Sequence, residues 1–331
     1  MRSAPARGFQ QSEFENRMEK VQQLMHEQSI DAVFLTQEPD VRYFTGFFTQ
    51  FWESPTRPWF LILPAKGKPI AIIPEIGTAG MVATWVEDIR TWSSPRPEDE
   101  GISLVVEALK SVGLKNNRIG VSLGHESLLR MPAGDYEKLL NQLSDVEVVD
   151  TAMMLHQVRY VKSKAEIEKI RYVCELTSDA FEALPQSLRM GESERQNCQR
   201  FRIDLLERGA DNSPYIVAGS GHGGYDSIIM GPTDRIIENG DVLIIDTGTV
   251  YDGYFCDFDR NFAFGKVDDD TRHAHEAVFN STDAGFAAAI PGATTTDVWK
   301  AMWDVLEAGG ALSNDVGRMG HGLGMQLTEW P

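Results

Sequence analysis

The sequence predicts an α/β (α+β) protein built from two domains, and three observations predict it. The chain has 331 residues, which is enough for two separate hydrophobic cores. Short β-rich runs alternate with segments of helical periodicity. Residues 241–265 have the pattern of a hairpin that is rich in aspartate. We place an N-terminal domain at residues 12–158 and a second domain at residues 159–331.

The first domain should begin with an amphipathic helix. Ser12 and Glu15 have the spacing of a capping box, and apolar residues recur after them at helical spacing. Lys66 and Gly67 are typical of a hairpin turn between two strands. The β-rich runs predict strands at 30–35, 41–47, 59–63, 70–73, 119–123 and 146–149, with helices at 102–112 and 134–143.

The second domain should open with a helix that is capped by Ser163 and Glu166. A helix that Gly209 ends, a strand and the acidic hairpin follow, and then the order of elements begins again. The predicted bounds are 192–208 for that helix, 215–218 for the strand, and 271–290 and 296–306 for the next two helices. This order indicates a weak internal duplication with an unfinished second copy, so we expect the chain to be a C-terminally truncated fragment.

The hairpin predicts a metal site. With Asp252 and Gly253 as the turn, Asp246 lies opposite Asp259 and diagonal to Asp257 on one face of the ribbon. Like charges in that arrangement repel unless a cation lies between them, and oxygen ligands suit a hard divalent cation. The alternative is a solvated acidic face. Apolar residues around the acids favour a buried ribbon instead: Ile244, Ile245, Phe255, Phe258 and Phe262.

Composition excludes several classes of function. The net charge of −18 and the pI near 4.8 argue against a nucleic-acid partner. No apolar run is long enough to span a membrane, and the first residues lack the apolar core of a signal peptide, so we expect a cytoplasmic protein with no membrane partner. Three cysteines without a short-spaced pair predict neither a disulfide framework nor a thiolate zinc site.

Several motifs carry a resemblance to a known family. His321 lies in a GHGLG segment, Asp246 in a DTG segment, and Asp257 follows eleven residues later with Arg260 close behind. Together with VRYFTGF at 41–47 and PTDRIIENGDVLIIDTG at 232–248, these motifs resemble the creatinase and aminopeptidase P (M24) metallopeptidase family. The resemblance implies a creatinase-like N-terminal α/β domain followed by a pita-bread catalytic domain, which would be incomplete at the C-terminus.

The resemblance also implies an activity. It is that of an Xaa-Pro aminopeptidase or dipeptidase, in which a hydroxide activated by two divalent metals attacks an amide near the amino terminus of a short peptide. The metals are manganese, cobalt, zinc or iron, and the assembly is a homodimer. Carried over by motif, Asp246, Asp257 and His321 are metal ligands. The two glutamate ligands of the family would come after residue 331, and no catalytic acid or base is assigned.

The chain departs from the family pattern around the substrate. Ile229 or a neighbour replaces one histidine, and Thr328, directly before Glu329, replaces another. Asp259 replaces a threonine and adds charge that could bind a cationic substrate. His222, in a glycine-rich loop, could replace a missing histidine.

Trp52 and Arg57 lie in a FWESPTRPW segment that is either core packing or a lid over a small ligand. With Asp259, His222, Thr328 and Glu329, they complete the predicted substrate-binding residues.

Two other functions remain open at this point. The departures fit an enzyme of the same fold that acts on a small osmolyte or amidine, similar to creatinase, ectoine hydrolase or dimethylsulfoniopropionate lyase. The fold could also serve as a non-catalytic binding module. The presence of all three candidate ligands argues against the binding module.

Overall fold

The computed structural model describes residues 3–313 and 318–331. Within them the chain divides into two compact units, Ala6–Lys162 and Ser163–Pro331, and the second unit also includes residues 3–5. The domain boundary predicted between residues 158 and 159 lies inside a helix, Ala152–Tyr160, and remains a prediction. No helix among the described residues has both the length and the apolar composition that crossing a membrane requires.

The N-terminal unit is a six-stranded sheet with helices. Its helices are α1 Gln11–Glu27, α2 Glu38–Thr45, α3 Thr78–Val82, α4 Ile102–Ser111, α5 Ala133–Gln142 and α6 Ala152–Tyr160. Its strands are β1 Ala32–Leu35, β2 Phe60–Pro64, β3 Ile70–Pro74, β4 Asp88–Trp92, β5 Arg118–Val121 and β6 Glu147–Asp150. The strand order is β4-β3-β2-β1-β5-β6, with antiparallel pairs only between β1 and β2 and between β2 and β3. Residues of α4 and α5 pack on one face of this sheet to form its core.

Two sequence predictions for this unit are wrong. Most of the run 41–47, predicted as a strand, lies in helix α2, which ends at Thr45. Pro39 in the first turn of that helix and the left-handed Gly46 at its end are helix boundary signals that outweigh the β-rich composition. The capping box at Ser12 is also absent. Helix α1 begins at Gln11, two residues before the start that a cap at Ser12 would give, with Gln10 at its N-cap and no capping bond from a side chain.

The second unit packs a pair of helices on a small antiparallel sheet. Its elements are α7 Lys164–Ala183, α8 Glu194–Glu207, β7 Asn212–His222, β8 Asp241–Tyr251, β9 Tyr254–Phe255, β10 Phe258–Ala263, α9 Asp269–Ala288 and α10 Thr295–Ala308. Strand β8 lies between β10 and β7, and β9 also pairs with β8. The capping box of Ser163 and Glu166 is confirmed at the start of α7. Ser193 and Gln196 form a second one at α8.

The two faces of the second sheet differ. Leu243 and Ile245 of β8 are buried in a core with residues of α7 and α8. Because side chains alternate along a strand, Ile244 and Asp246 project from the opposite face, which we call the open face. The prediction of a fully buried ribbon is therefore wrong for β10. That strand pairs only with β8 among the described residues, and Asp259 on it is exposed.

The turn of the acidic hairpin is fixed by ionic contacts. Asp252 and Gly253 both have positive φ, 48° and 84°, as a type I′ turn requires. The ammonium of Lys169 on α7, which is only 2% exposed, lies 2.6 Å from the carboxylate of Asp252. The backbone N–H of Asp252 donates to the carboxylate of Asp211 at 2.7 Å. The turn is thus tied to α7 and to the start of β7.

The predicted repeat is only partly present. Helices α9 and α10 follow the hairpin as expected. Residues 318–331 form no strand of any length and contain a single isolated bridge between Gly322 and Glu329. Residues 314–317 lie outside the described residues.

Replacing Ser163 with alanine should weaken the start of α7. The hydroxyl of Ser163 accepts from the backbone N–H of Glu166 at 3.2 Å, and loss of such a cap costs about 1 kcal/mol. We expect the amide of Glu166 to exchange with solvent roughly five times faster, measured by hydrogen exchange. The matched control is Ser12→Ala, which should leave the first turn of α1 unchanged. Faster exchange in α1 would show that Ser12 caps that helix after all.

Candidate metal centre

The pairing of β8 with β10 brings the predicted acids together. Asp259 lies opposite Asp246 in the antiparallel register, as the hairpin turn predicted. Phe255 pairs with Val250 in the same register, so Asp257 lies opposite Gly248. Three carboxylates therefore share the open face on two adjacent rows.

Tyr215 of β7 holds one of these carboxylates. It pairs with Gly248, and a side chain at position 248 would overlap the tyrosine ring at 2.3 Å. The absence of that side chain lets the ring lie over β8, and its hydroxyl donates to Oδ1 of Asp257. Burial and this bond to the anionic carboxylate raise the pKa of Tyr215, so it remains a donor at neutral pH.

The GHGLG segment brings a histidine to the same carboxylate. Nε2 of His321 lies 3.1 Å from Oδ2 of Asp257. The segment is fixed to the hairpin, because the backbone N–H of Phe255 donates to the carbonyl of Gly324 at 2.8 Å. Glu329 turns inward and accepts from the backbone N–H of Met325 at 2.9 Å. A side chain at Gly324 would overlap the carboxylate of Glu329 and displace it from its present position.

Among the three acids, Asp246 has the least favourable environment for its ionised form. Burial, together with the neighbouring carboxylates of Asp257 and Asp259, raises its pKa to about 6, against smaller opposite effects of a hydrogen bond from the Thr247 backbone and of His321. Its Oδ1 is buried and has no hydrogen-bond partner among the described residues. Although Asp259 keeps much of its surface exposed, partial desolvation of its carboxylate by the surrounding protein raises its pKa, as does the charge of Asp257, while Arg260 lowers it. A cation at this position would relieve the repulsion and supply the missing partner.

The donor set fits a divalent cation. Two carboxylates and an imidazole are the oxygen and nitrogen ligands that transition metals take in proteins. The unpaired Oδ1 of Asp246 and the contact between His321 and Asp257 are consistent with such a role. Within residues 3–313 and 318–331, however, no three side chains of His, Cys, Asp or Glu are gathered closely enough to hold a metal ion. Asp246, Asp257 and His321 are the residues that would hold it.

Other predicted residues lie elsewhere. His222 pairs with Asp241, five positions along β7 from Val217, the partner of Asp246. That spacing is roughly 17 Å, so the structure does not bring His222 to the acids. Thr328 is half-buried beside Glu329, in the segment that carries His321.

Trp52 and Arg57 belong to the N-terminal unit. Trp52 is buried there, 6.2 Å from the ring of Trp59, and the guanidinium of Arg130 lies over its ring. Arg57 has a positive φ of 56° and lies over the ring of Phe51. The role of both as a lid remains a prediction.

Sequence reasoning missed two tyrosines on the open face. Tyr215 contacts Asp257 as described, and the hydroxyl of Tyr225 donates to Oδ1 of Asn261 on β10 at 2.9 Å. The signal for Tyr215 was its partner Gly248, the glycine of the DTG segment. Pairing between β7 and β8, which no short motif encodes, is needed to use that signal.

The fold and the donor set of the open face are typical of a hydrolase that depends on divalent metal. Comparison with known proteins agrees. A model of metallopeptidase family M24 matches residues 168–331, and a model of the creatinase/prolidase N-terminal domain matches residues 17–161. The chain belongs to metallopeptidase family M24 and is an enzyme of its hydrolase class, for which divalent metal ions are implied.

Individual relatives span most of the chain. An uncharacterized peptidase of Bacillus subtilis, YqhT, is 26% identical in an alignment of 327 residues that covers 95% of this chain and 84% of the relative. The Xaa-Pro dipeptidase of Pyrococcus furiosus is 25% identical, with 95% and 84% covered. Among solved structures, dipeptidase PepE from Mycobacterium ulcerans has a TM-score of 0.83 at 25% identity, covering 98% of this chain and 84% of that one.

Replacing Tyr215 with phenylalanine should weaken metal binding. The variant keeps the ring over Gly248 but removes the bond that orients Asp257, and loss of such a supporting contact typically costs 10- to 100-fold in metal affinity. Titration calorimetry with Mn²⁺ measures the change. Tyr251→Phe is the control, because its hydroxyl bonds the carbonyl of Pro5 instead. Equal losses in both variants would mean that Tyr215 has no special part in holding the ligand.

The metal-free protein should lose stability as pH rises through about 6. The pKa of Asp246 is higher in the folded chain than its ordinary value of 3.8, so folding favours the protonated form. Its stabilising contribution is complete at low pH and is lost as the group ionises. Chemical denaturation between about pH 4 and pH 6 should therefore show a decline that levels off at higher pH and that Asp246→Asn reduces.

The affinity for metal should depend on pH in the opposite direction. Because Asp246 must be deprotonated to bind a metal ion, the affinity should fall as pH drops below about 6. Curves of unfolding free energy against pH that coincide for the wild type and Asp246→Asn would contradict the assignment.

Proposed function

We propose that this chain hydrolyses the amide bond near the amino terminus of short peptides, with a preference for Xaa-Pro substrates. The observation that supports this proposal is the contact of His321 with Asp257, in the row next to that of Asp246 on the open face. The Xaa-Pro dipeptidase of Pyrococcus furiosus and the prolidase of Pyrococcus horikoshii, similar along most of this chain, support the substrate class. When bound, divalent metal would polarise the scissile carbonyl and acidify a water molecule.

The chain's own residues prepare the site for this chemistry. Tyr215 donates to Oδ1 of Asp257 and His321 approaches its other oxygen, so both oxygens of that carboxylate have fixed directions. A preorganised carboxylate costs less to position when substrate binds. Asp259 leaves an extra negative charge beside the Asp246 position, which favours a substrate that presents its ammonium group there.

The finer features rest on the resemblance. We propose manganese, cobalt, zinc or iron as the metal, two ions per chain, and a homodimer as the assembly. The two further glutamate ligands have no counterpart assigned in this sequence. The three cysteines are unpaired, which agrees with a reducing compartment such as the cytoplasm. Elemental analysis and light scattering measure metal content and assembly.

Replacing Asp257 with alanine should abolish both metal binding and hydrolysis. Asp257 contacts both Tyr215 and His321, so its loss removes the centre of the site. The assay is release of proline from Xaa-Pro dipeptides by the Mn²⁺-loaded chain, with metal content measured in parallel. Asp283→Ala, which removes an exposed carboxylate from α9, is the matched control and should change neither quantity.

Substrate panels distinguish the rival enzyme function. Turnover of creatine-like or other small nitrogen compounds without turnover of Xaa-Pro peptides would favour the osmolyte or amidine reaction. The exposed Ile229, where the family pattern has a histidine, is the feature that motivates including them. Full activity of Asp257→Ala on every substrate would overturn the metallohydrolase assignment.

A further inference from the structure

A short flap lies against the open face beside the acids. Residues 223–230, which we call the flap, connect β7 to the segment before β8. The flap is fixed at both ends. The backbone N–H of Gly224 donates to Gly221 at 3.3 Å, and that of Ala218 donates to Met230 at 3.0 Å. It therefore runs back along β7 and does not project away from it.

Tyr225 extends from this flap across the sheet. Its Cβ lies 3.7 Å from the position that a side chain would occupy at Gly219 on β7, and its hydroxyl reaches Asn261 on β10. Gly219, Ile244 and Asn261 are paired across the three strands. Two strand spacings are roughly 10 Å, which is about the length of a tyrosine side chain with a hydrogen bond at its end. The ring therefore crosses over Ile244.

The burial of Ile244 agrees with this placement. Ile244 projects from the face opposite the helices, yet it is only 6% exposed. The next residue on that face of β8 is Asp246, roughly 7 Å further along. Burial raises the pKa of Tyr225 and the nearby carboxylate of Asp259 raises it further, which keeps the hydroxyl protonated at neutral pH. The ring is thus a neutral, flat wall at one side of the acidic row.

The opposite side of that row is bounded by a second ring. Tyr215 lies over Gly248, on the row of Asp257. The row of Asp246 and Asp259 lies between the two tyrosines and is covered by neither ring. A peptide that enters there meets negative charge, so its carboxyl end is repelled and its amino end is favoured. The amino-terminal side chain then lies next to Tyr225, where the exposed Ile228 and Ile229 extend the apolar surface.

We propose that Tyr225 is a specificity-determining residue that selects substrates with a flat or bulky apolar amino-terminal side chain. This inference rests on the proposed function for its substrate class, and it adds which residue of the substrate is selected and by what contact. Stacking of an aromatic side chain on the tyrosine ring, with the apolar area that it buries, should favour such a substrate by roughly tenfold over one with glycine.

The test measures binding and hydrolysis separately. The probes are reduced-amide analogues of Phe-Pro and Gly-Pro, which cannot be hydrolysed, titrated into the Mn²⁺-containing chain by calorimetry. We expect the wild type to bind the phenylalanine analogue roughly tenfold more tightly, and Tyr225→Ala to bring that ratio close to one. Tyr225→Phe keeps the ring but loses the bond to Asn261, so the ratio should fall only partly.

Two further variants test whether the effect depends on the position of Tyr225 in the flap. Gly219→Ala should lower the ratio without touching Tyr225, because its new methyl group would lie 2.9 Å from the carbonyl oxygen of Ser227 and displace the flap. Tyr160→Ala removes a partly exposed tyrosine from the N-terminal unit and should leave the ratio unchanged. A ratio that stays at its wild-type value in Tyr225→Ala, or a wild type without preference for phenylalanine, overturns the inference.

Hydrolysis of the ordinary dipeptides is followed in the same preparations. If the wild type shows the binding preference and loses it in Tyr225→Ala, yet cleaves neither dipeptide, the proposed function fails and the assignment of Tyr225 stands. If it cleaves both dipeptides but binding does not depend on Tyr225, the proposed function stands and the assignment fails.

Discussion

Repulsion between carboxylates that the backbone holds side by side is the constraint on which this site depends. The register of β8 and β10 places Asp246 directly opposite Asp259, and Asp257 two residues away on the same face. None of these three side chains can leave that face without disrupting the strand pairing. The packing of Leu243 and Ile245 against α7 and α8 on the other side keeps the pairing in place. The fold thus stores an unfavourable electrostatic arrangement and offsets it with a conventional apolar core, which is common at functional sites.

Tyrosine and glycine act together around these acids. Each of the two open-face tyrosines lies over a neighbouring strand and reaches a polar group on β10 or next to it. Gly248 and Gly219 make this possible, because a side chain at either position would press against the adjoining ring or flap. The glycines are therefore requirements of close packing. They explain why a sheet of so few strands can support several hydrogen-bonded contacts on one face.

The sequence was most informative where structure depends on short-range rules. The turn at Asp252 and Gly253 set the hairpin register correctly, and the spacing of Ser163 and Glu166 identified a real helix start. The same spacing failed at Ser12, because that helix already begins at Gln11 and Ser12 lies inside its first turn. For residues 41–47 the β-rich composition was outweighed by a proline and a glycine at the ends of a short helix. Tyr215 and Tyr225 could not be found, since their positions depend on pairing with a strand that is distant in sequence and on the path of a loop.

The anchored turn limits how this chain can vary. Lys169 and Asp211 hold Asp252 in place, so the turn is fixed. The position of each residue on the two strands is therefore set by its distance in sequence from the turn. Alternation along a strand means that inserting or deleting a single residue between Asp246 and the turn would rotate that acid toward the helices. A change of two residues would restore the face but move the acid to a different partner. Sequence drift in this stretch is therefore confined to substitutions, and length changes should be tolerated only in the connections outside the hairpin, such as the loop between α9 and α10.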